Sequence, residues 1–226
     1  MNAVPAIDFR RPRRGDRLIS LLDQGLRVVF APAAAGRQTG RPTPRPAGAN
    51  LPAVVLTPDQ TRHAAGLMRV NHAGEVAAQA LYYGQALVAR DTATREHLLF
   101  AAREEGDHLT WCAERLEQLN SRPSLLSPFW FAGAATIGTV AAIVGDRVSL
   151  GFVAETEKQV EAHLNDHLER LPDGDADSRA ILEQMRVDEI RHGQDALDRG
   201  GAELPRPIQA LMRLVSRVMT VTAYRF

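Results

Sequence analysis

The sequence contains a single cysteine, Cys112, so no intrachain disulfide can close, and no Cys-ligated zinc or iron–sulfur site can be built from its own thiols. A reducing compartment is the simplest setting for that thiol. Aromatic residues are also scarce, at 5% of the 226 residues, while Ala, Leu and Val dominate a hydrophobic content of 45%. That balance favours helices in one well-cored domain with appendages over a β-sandwich, and the expected class is all-α. The first residues lack an apolar run beside a small-residue cleavage site, and a secretory signal is not expected. Their Arg-rich, acid-poor character imitates an organellar transit peptide, but serine is scarce there and Asp16 and Asp23 interrupt the one amphipathic segment.

Formal net charge is zero but unevenly spread. Residues 1–56 hold nine Arg against three Asp, whereas the remainder holds 18 basic and 24 acidic residues. A basic arm drawn to an anionic surface and a body rich in acidic ligands would give this asymmetry, as would a merely soluble arm. Within residues 16–30, Leu18, Leu22, Leu26 and Val29 share one helical face, suited to docking on a bundle or lying on a membrane. Residues 31–52 are Pro, Gly, Ala and Arg without periodicity and read as a linker. The division expected is therefore a basic arm over 1–56 and a helical-bundle domain over 57–226.

Thr57-Pro58-Asp59-Gln60 supplies an N-cap threonine, a first-turn proline and a capping-box glutamine, opening a helix predicted to run to about residue 90. Asp91 or Thr92 caps the next, which carries Glu105 and His108 and ends near residues 120–123. Residues 123–145 form an uncharged stretch of 23 residues. Segments 128–145 and 147–170, taken as one straight helix, would reach about 64 Å at 1.5 Å per residue, so a break near Gly145-Asp146 is predicted. A turn at 171–175, a helix over about 177–199 ending at Gly200-Gly201, and a last amphipathic helix after Pro205 and Pro207 complete the chain. That last helix aligns Ile208, Leu211, Met212, Val215, Val218 and Met219 on one face.

Two Glu-x-x-His motifs carry the chemistry: Glu105-Gly106-Asp107-His108 and Glu189-Ile190-Arg191-His192. Residues three apart on a helix point the same way, so each motif offers a carboxylate and an imidazole to one spot in a bundle interior. With 13 Glu and 7 His, chance alone gives about 0.4 such pairs, and exposed ion pairs, such as Glu189 with Arg186 and Arg191, are the bland alternative. The layout adds weight. Glu75 precedes Glu105 by 30 residues and Glu157 precedes Glu189 by 32, so each half reads as a helix with Glu, a turn, then a helix with Glu-x-x-His. This is the ligand pattern of carboxylate-bridged two-metal bundles, in which hard oxygen donors neutralise two adjacent cations. Periodicity does not choose between Glu157 and Glu161, which project within about 40° of each other.

Arg69-Val70-Asn71-His72-Ala73-Gly74-Glu75, Glu105-Gly106-Asp107-His108, Glu157 upstream of His163-Leu164-Asn165, and Asp188-Glu189-Ile190-Arg191-His192 together resemble the demethoxyubiquinol hydroxylases of ubiquinone biosynthesis. The resemblance runs from about Leu51 to the C-terminus, and the basic arm and last helix look like those of the bacterial branch. It implies a ferritin-like four-helix bundle and places metal ligands on Glu75, Glu105, His108, Glu157, Glu189 and His192, favouring Glu157 over Glu161. It also implies two iron ions, with manganese an alternative, and hydroxylation of a demethoxy polyprenyl quinol by O2. The implied setting is peripheral, on the cytoplasmic face of a bacterial inner membrane. Other ubiquinone-biosynthesis proteins are implied as further partners, and nucleic acid is not expected to be one. A ferritin- or rubrerythrin-like iron or peroxide handler and a non-enzymatic membrane-associated scaffold are the competing readings.

His72, Tyr82 and Asp188 are candidates to support ligands from behind, with Asp188 expected to orient a histidine of a neighbouring helix. Cys112 is expected to be a packed core thiol. The uncharged stretch is long enough to span a bilayer. A single crossing there would leave Glu75 and Glu105 on one side and Glu157 and Glu189 on the other, so the expectation is a segment that packs on the bundle and dips into one leaflet.

Overall fold

The computed structural model describes residues 14–30, 39–46 and 55–226, and among these residues it contains seven helices and no strand. Helix α1 spans Arg14–Phe30, α2 Pro58–Val88, α3 Thr92–Gln118, α4 Ser127–Val144, α5 Asp146–Arg170, α6 Ala176–Asp198 and α7 Arg206–Ala223. Helices α2, α3, α5 and α6 form the bundle, α2 pairing with α3 and α5 with α6, and the two pairs meeting through α2–α5 and α3–α6. This is the expected all-α, ferritin-like arrangement. Of the proline- and arginine-rich stretch, residues 39–46 form neither helix nor strand; its other residues, and the side chain of Val29, lie outside what is described.

The helix starts follow from their caps. Thr57 Oγ1 accepts from the Gln60 N–H at 3.3 Å, and Gln60 Oε1 accepts from the Thr57 N–H at 2.9 Å, closing the capping box of α2. Asp91 accepts from the Thr94 N–H at 2.7 Å to open α3, and Asp175 from the Ser178 N–H at 3.0 Å to open α6. Helix α2 is buried on nearly all sides because α1, α3, α4, α5 and α7 all pack against it. Its many Ala and Gly residues permit that crowding.

Helix α4 is the long crossover that returns the chain so that α5 starts at the same end of the bundle as α3. A Cβ on Gly84 would lie 2.2 Å from Ala135 O, and one on Gly138 would lie 2.3 Å from Leu81 O, so the α2 and α4 backbones touch through these two positions. The break expected between α4 and α5 falls at Gly145, whose φ of 149° suits glycine. Asp146 fixes that corner by accepting from the N–H groups of Arg90 at 3.1 Å and Asp91 at 2.7 Å, while Arg90 donates to Ile143 O at 2.8 Å. The C-terminus is pinned at the opposite end. A carbonyl only accepts, so His63 Nε2 donates to Arg170 O at 3.0 Å and His63 Nδ1 accepts from the Tyr224 hydroxyl at 2.8 Å.

Helix α4 is long and apolar enough to cross a membrane, yet one of its faces, with Phe131, Ala135, Gly138 and Ala142, is buried against the bundle. Its other face leaves Phe129, Ile137, Val140 and Ile143 exposed, so it is not a fully buried core helix. Helix α1 docks through Leu21 and Val28, leaving Leu18, Leu22 and Leu26 of the sequence-derived face exposed. Ile208, Leu211, Val215 and Val218 of α7 are exposed as well. Gly138→Ala is expected to cost about 1–3 kcal/mol by forcing α4 off α2, lowering the thermal midpoint by about 2–4 °C per kcal/mol. Gly133→Ala, which meets nothing within 4 Å, should be neutral or stabilising in the same melt.

Candidate metal centre

Each bundle helix sends one acidic side chain inward at the same level. Glu75 comes from α2, Glu105 from α3, Glu157 from α5 and Glu189 from α6, while His108 and His192 follow their glutamates by three residues on α3 and α6. None of the six is more than 3% exposed. Ligand atoms of Glu75, Glu105, His108 and Glu189 lie within 4.8 Å of one another.

The two imidazoles face the centre through Nδ1. His108 Nδ1 lies 2.9 Å from Glu105 Oε2, 3.1 Å from Glu189 Oε1 and 3.5 Å from Glu75 Oε2. His192 Nδ1 lies 3.1 Å from Glu105 Oε1 and 3.3 Å from Glu189 Oε2. Glu105 and Glu189 therefore touch both rings, as bridging carboxylates would, and Glu75 sits at the His108 end. Glu157 interacts electrostatically with His192, Glu105 and Glu189 at the other end. Its neighbours on α5 are placed differently: Glu155 accepts from Gln159 and faces Arg213, and Glu161 is half-buried.

The electrostatics of four buried carboxylates and two imidazoles call for added positive charge. Burial pushes the Glu75 and Glu157 carboxyls well up, reinforced by Glu105 and Glu189. Burial also works against charge on His108 and His192, but the surrounding carboxylates override it and raise both. The same two imidazoles hold Glu105 well below the usual range against its burial. Protons held here stand where cations would neutralise the carboxylates. The donor set fits a pair of hard cations: Glu157 Oε2, buried, has no hydrogen-bond partner, and Glu105 Oε1 and Glu189 Oε1 have none of acceptable geometry despite imidazole nitrogens at 3.1 Å.

Behind the cluster lies a cross-braced layer. His108 Nε2 donates to Asp188 Oδ2 of α6 at 3.0 Å, and His192 Nε2 donates to Glu104 Oε2 of α3 at 3.0 Å. The carboxylate before each motif glutamate thus reaches the histidine of the opposite helix and leaves its Nδ1 facing inward. Sequence reasoning anticipated Asp188 but missed Glu104; the readable signal was an acid immediately before both Glu-x-x-His motifs. Tyr82 donates to Glu157 Oε1, and burial keeps its hydroxyl protonated. His72 is buried with Nδ1 unpartnered and its pKa lowered to about 4 by that burial, so it is neutral. Cys112 packs with its Sγ 3.8 Å from Met185 Sδ, in the core as expected.

Metal binding must displace protons from Glu75, Glu157 and the two imidazoles, so affinity for divalent ions should rise with pH and each ion should release protons. A pH-stat titration and elemental analysis between about pH 6 and about pH 8 check this. Two ions per chain are expected, with Glu189→Ala losing at least one. Full occupancy with unchanged affinity in that variant would contradict the assignment.

The family model for ubiquinone biosynthesis protein COQ7 matches residues 62–223. The 3-demethoxyubiquinol 3-hydroxylase of Cupriavidus necator is 59% identical over 211 residues, covering 93% of this chain and 99% of that protein. The proteins of the same name from Ralstonia pickettii and Burkholderia multivorans are each 57% identical, over 220 and 209 residues, and the matches cover 93% and 92% of this chain and 99% and 98% of theirs. A family model matching most of the chain, and relatives well over half identical along nearly its whole length, lead to one conclusion: the chain belongs to the COQ7 family of ubiquinone biosynthesis proteins.

Proposed function

We propose that this protein hydroxylates the ring of a demethoxy polyprenyl quinol with O2, as the names of its relatives describe for them. The observation that carries the reading is the joining of a buried Glu75, Glu105, His108, Glu189 cluster to exposed apolar helix faces in one small bundle. The first suits oxygen chemistry and the second a lipid-soluble substrate. The metals in this reading are two iron ions. Bound there, they would supply reductive activation of O2, so that one oxygen atom enters a ring C–H bond and the other leaves as water, with two electrons and two protons drawn from a reductant.

The ligands in this reading are Glu75, Glu105, His108, Glu157, Glu189 and His192. Glu105 and Glu189, each facing both imidazoles, would hold the ions from the middle of the cluster. Asp188 and Glu104 hold the Nε2–H groups so that the Nδ1 lone pairs stay directed inward. The Tyr82 hydroxyl occupies Glu157 Oε1, leaving Oε2 to ligate. Burial of all six excludes bulk water from the reacting centre.

The same reading divides the chain into an arm over 1–56 and a catalytic bundle over 57–226, and rests the bundle on a membrane through α1, α4 and α7. It places the protein on the cytoplasmic face of a bacterial inner membrane, a setting compatible with its single buried free thiol. Other ubiquinone-biosynthesis proteins would meet it there.

Two measurements test the proposal. Iron-loaded protein, a demethoxyquinol, a reductant and isotopically labelled O2 should give a product carrying one labelled oxygen, with Glu189→Ala lowering turnover by more than about 100-fold. An unlabelled or absent product, or equal product from the variant, sinks the hydroxylase reading. In vesicle flotation, Val140→Asp combined with Leu211→Asp should weaken membrane binding at least tenfold, since each exposed apolar side chain contributes about 1.5–3 kcal/mol when buried.

A further inference from the structure

The two histidines are braced in matching ways but by different parts of the chain. Behind His192, Glu104 is gripped by Arg191, whose guanidinium nitrogens lie 2.8 and 3.2 Å from its two oxygens, so ring, acid and cation all belong to α3 and α6. Behind His108, the matching acid is Asp188. Arg191 stands two residues after Glu189, and the corresponding position after Glu105 is Asp107, a second carboxylate. Helix α3 therefore offers no arginine at that point. Besides His108, the bundle meets Asp188 only at Oδ1, through Arg191 Nη2 and Gln184 Nε2, each at 3.4 Å, and Arg191 makes its shorter contacts with Glu104. The cation on Oδ2, the oxygen that faces His108, arrives from outside the bundle.

Residues 39–46 lie across α3 and α6 and deliver Arg41. Its Nη1 donates to Asp188 Oδ2 at 2.8 Å and its Nε to Asp107 Oδ2 at 3.2 Å, so one planar guanidinium ties the two acids together. The guanidinium carbon stacks 4.9 Å from the Trp111 ring centroid, and Nη2 comes within 3.4 Å of His108 Nε2. The segment is held at further points: the Thr39 N–H donates to Asp107 Oδ1 at 3.2 Å, the Thr39 hydroxyl donates to Asp107 Oδ2, and the Thr43 hydroxyl donates to Glu114. The Trp111 indole N–H points at Arg41 O at 3.5 Å.

We propose that Arg41, carried by segment 39–46 of the N-terminal arm, is a positioning residue for the His108 half of the two-metal centre. It clamps Asp188, and through Asp188 it fixes the His108 ring. The two halves are then unequal: the His192 half is braced within the bundle, and the His108 half depends on the arm. This inference rests on the two-metal reading of the cluster.

The test is an anaerobic titration of the full chain with Mn2+ alone, by equilibrium dialysis and elemental analysis, comparing wild type with Arg41→Ala, Arg41→Lys, Asp188→Asn and the Arg41→Ala/Asp188→Asn double variant. Wild type should bind two ions. Arg41→Ala should keep one at wild-type affinity and weaken the other about 10–100-fold, the range typical of groups that orient metal-bound histidines. Arg41→Lys should recover only part, because an ammonium does not bridge two carboxylates as a planar fork does. The double variant should bind no more weakly than Asp188→Asn, because the arginine acts through that aspartate. Thr39→Val, which loosens the same segment but keeps Arg41, should weaken the same ion to a smaller degree and serves if Arg41→Ala folds poorly. Unchanged affinities in Arg41→Ala, equal weakening of both ions, or full additivity with Asp188→Asn would each overturn the proposal. A wild type that fails to bind two ions would overturn the two-metal reading beneath it, an outcome separable from the behaviour of Arg41.

Discussion

Mutual repulsion among four buried carboxylates is the constraint on which the rest of the structure depends. Two such charges 4 Å apart repel by about 4 kcal/mol at an effective dielectric of 20, and Glu75, Glu105, Glu157 and Glu189 are too deeply buried for water to relieve it. Two imidazoles offset only part of that charge. Protons on Glu75 and Glu157, or cations in their place, must supply the rest, and the side chains around the cluster hold its carboxylates and imidazoles in position. Helix α2 is packed from several sides, so Glu75 has little freedom to swing outward. Glu104 and Asp188 brace the histidines across the α3–α6 seam, and Arg191 and Arg41 in turn hold those acids.

The crossover answers a topological demand of the same site. Two Glu, Glu-x-x-His halves can converge only if α5 begins at the end of the bundle where α3 began, and α4 makes that return alongside α2. Contact through Gly84 and Gly138 keeps α4 close, and Gly145 with Asp146 turns the chain into α5 at the required corner. Because α4 covers α2 with one face only, its outward face adds to the exposed apolar residues of α1 and α7. A single helix thus joins the two halves of the Glu/His cluster and supplies apolar surface beside it.

Much of this was legible in the sequence because it is local. The Thr57 capping box, the Asp91 cap, the break at Gly145 and the two Glu-x-x-His faces each follow from a few adjacent residues. Glu157 required more: periodicity left it level with Glu161, the family resemblance favoured it, and the structure turns Glu157 inward while leaving Glu161 half-buried. Glu104 was overlooked although it is written beside Glu105, because a lone acid on a charged helix ordinarily reads as solvated; only the α3–α6 packing shows that it reaches His192. Arg41 had no local signal at all. It lies in an otherwise aperiodic stretch, and its partners Asp107 and Asp188 stand 66 and 147 residues away on α3 and α6.

The central claim is that cations can be held at the meeting point of α2, α3, α5 and α6. Anomalous X-ray diffraction at the iron edge, from crystals of the iron-loaded protein, tests it most directly. It should give two peaks roughly 3.5–4 Å apart, one beside His108 Nδ1 and the other beside His192 Nδ1, with Glu105 and Glu189 between them. No peak inside the bundle, or peaks confined to surface carboxylates, would contradict it.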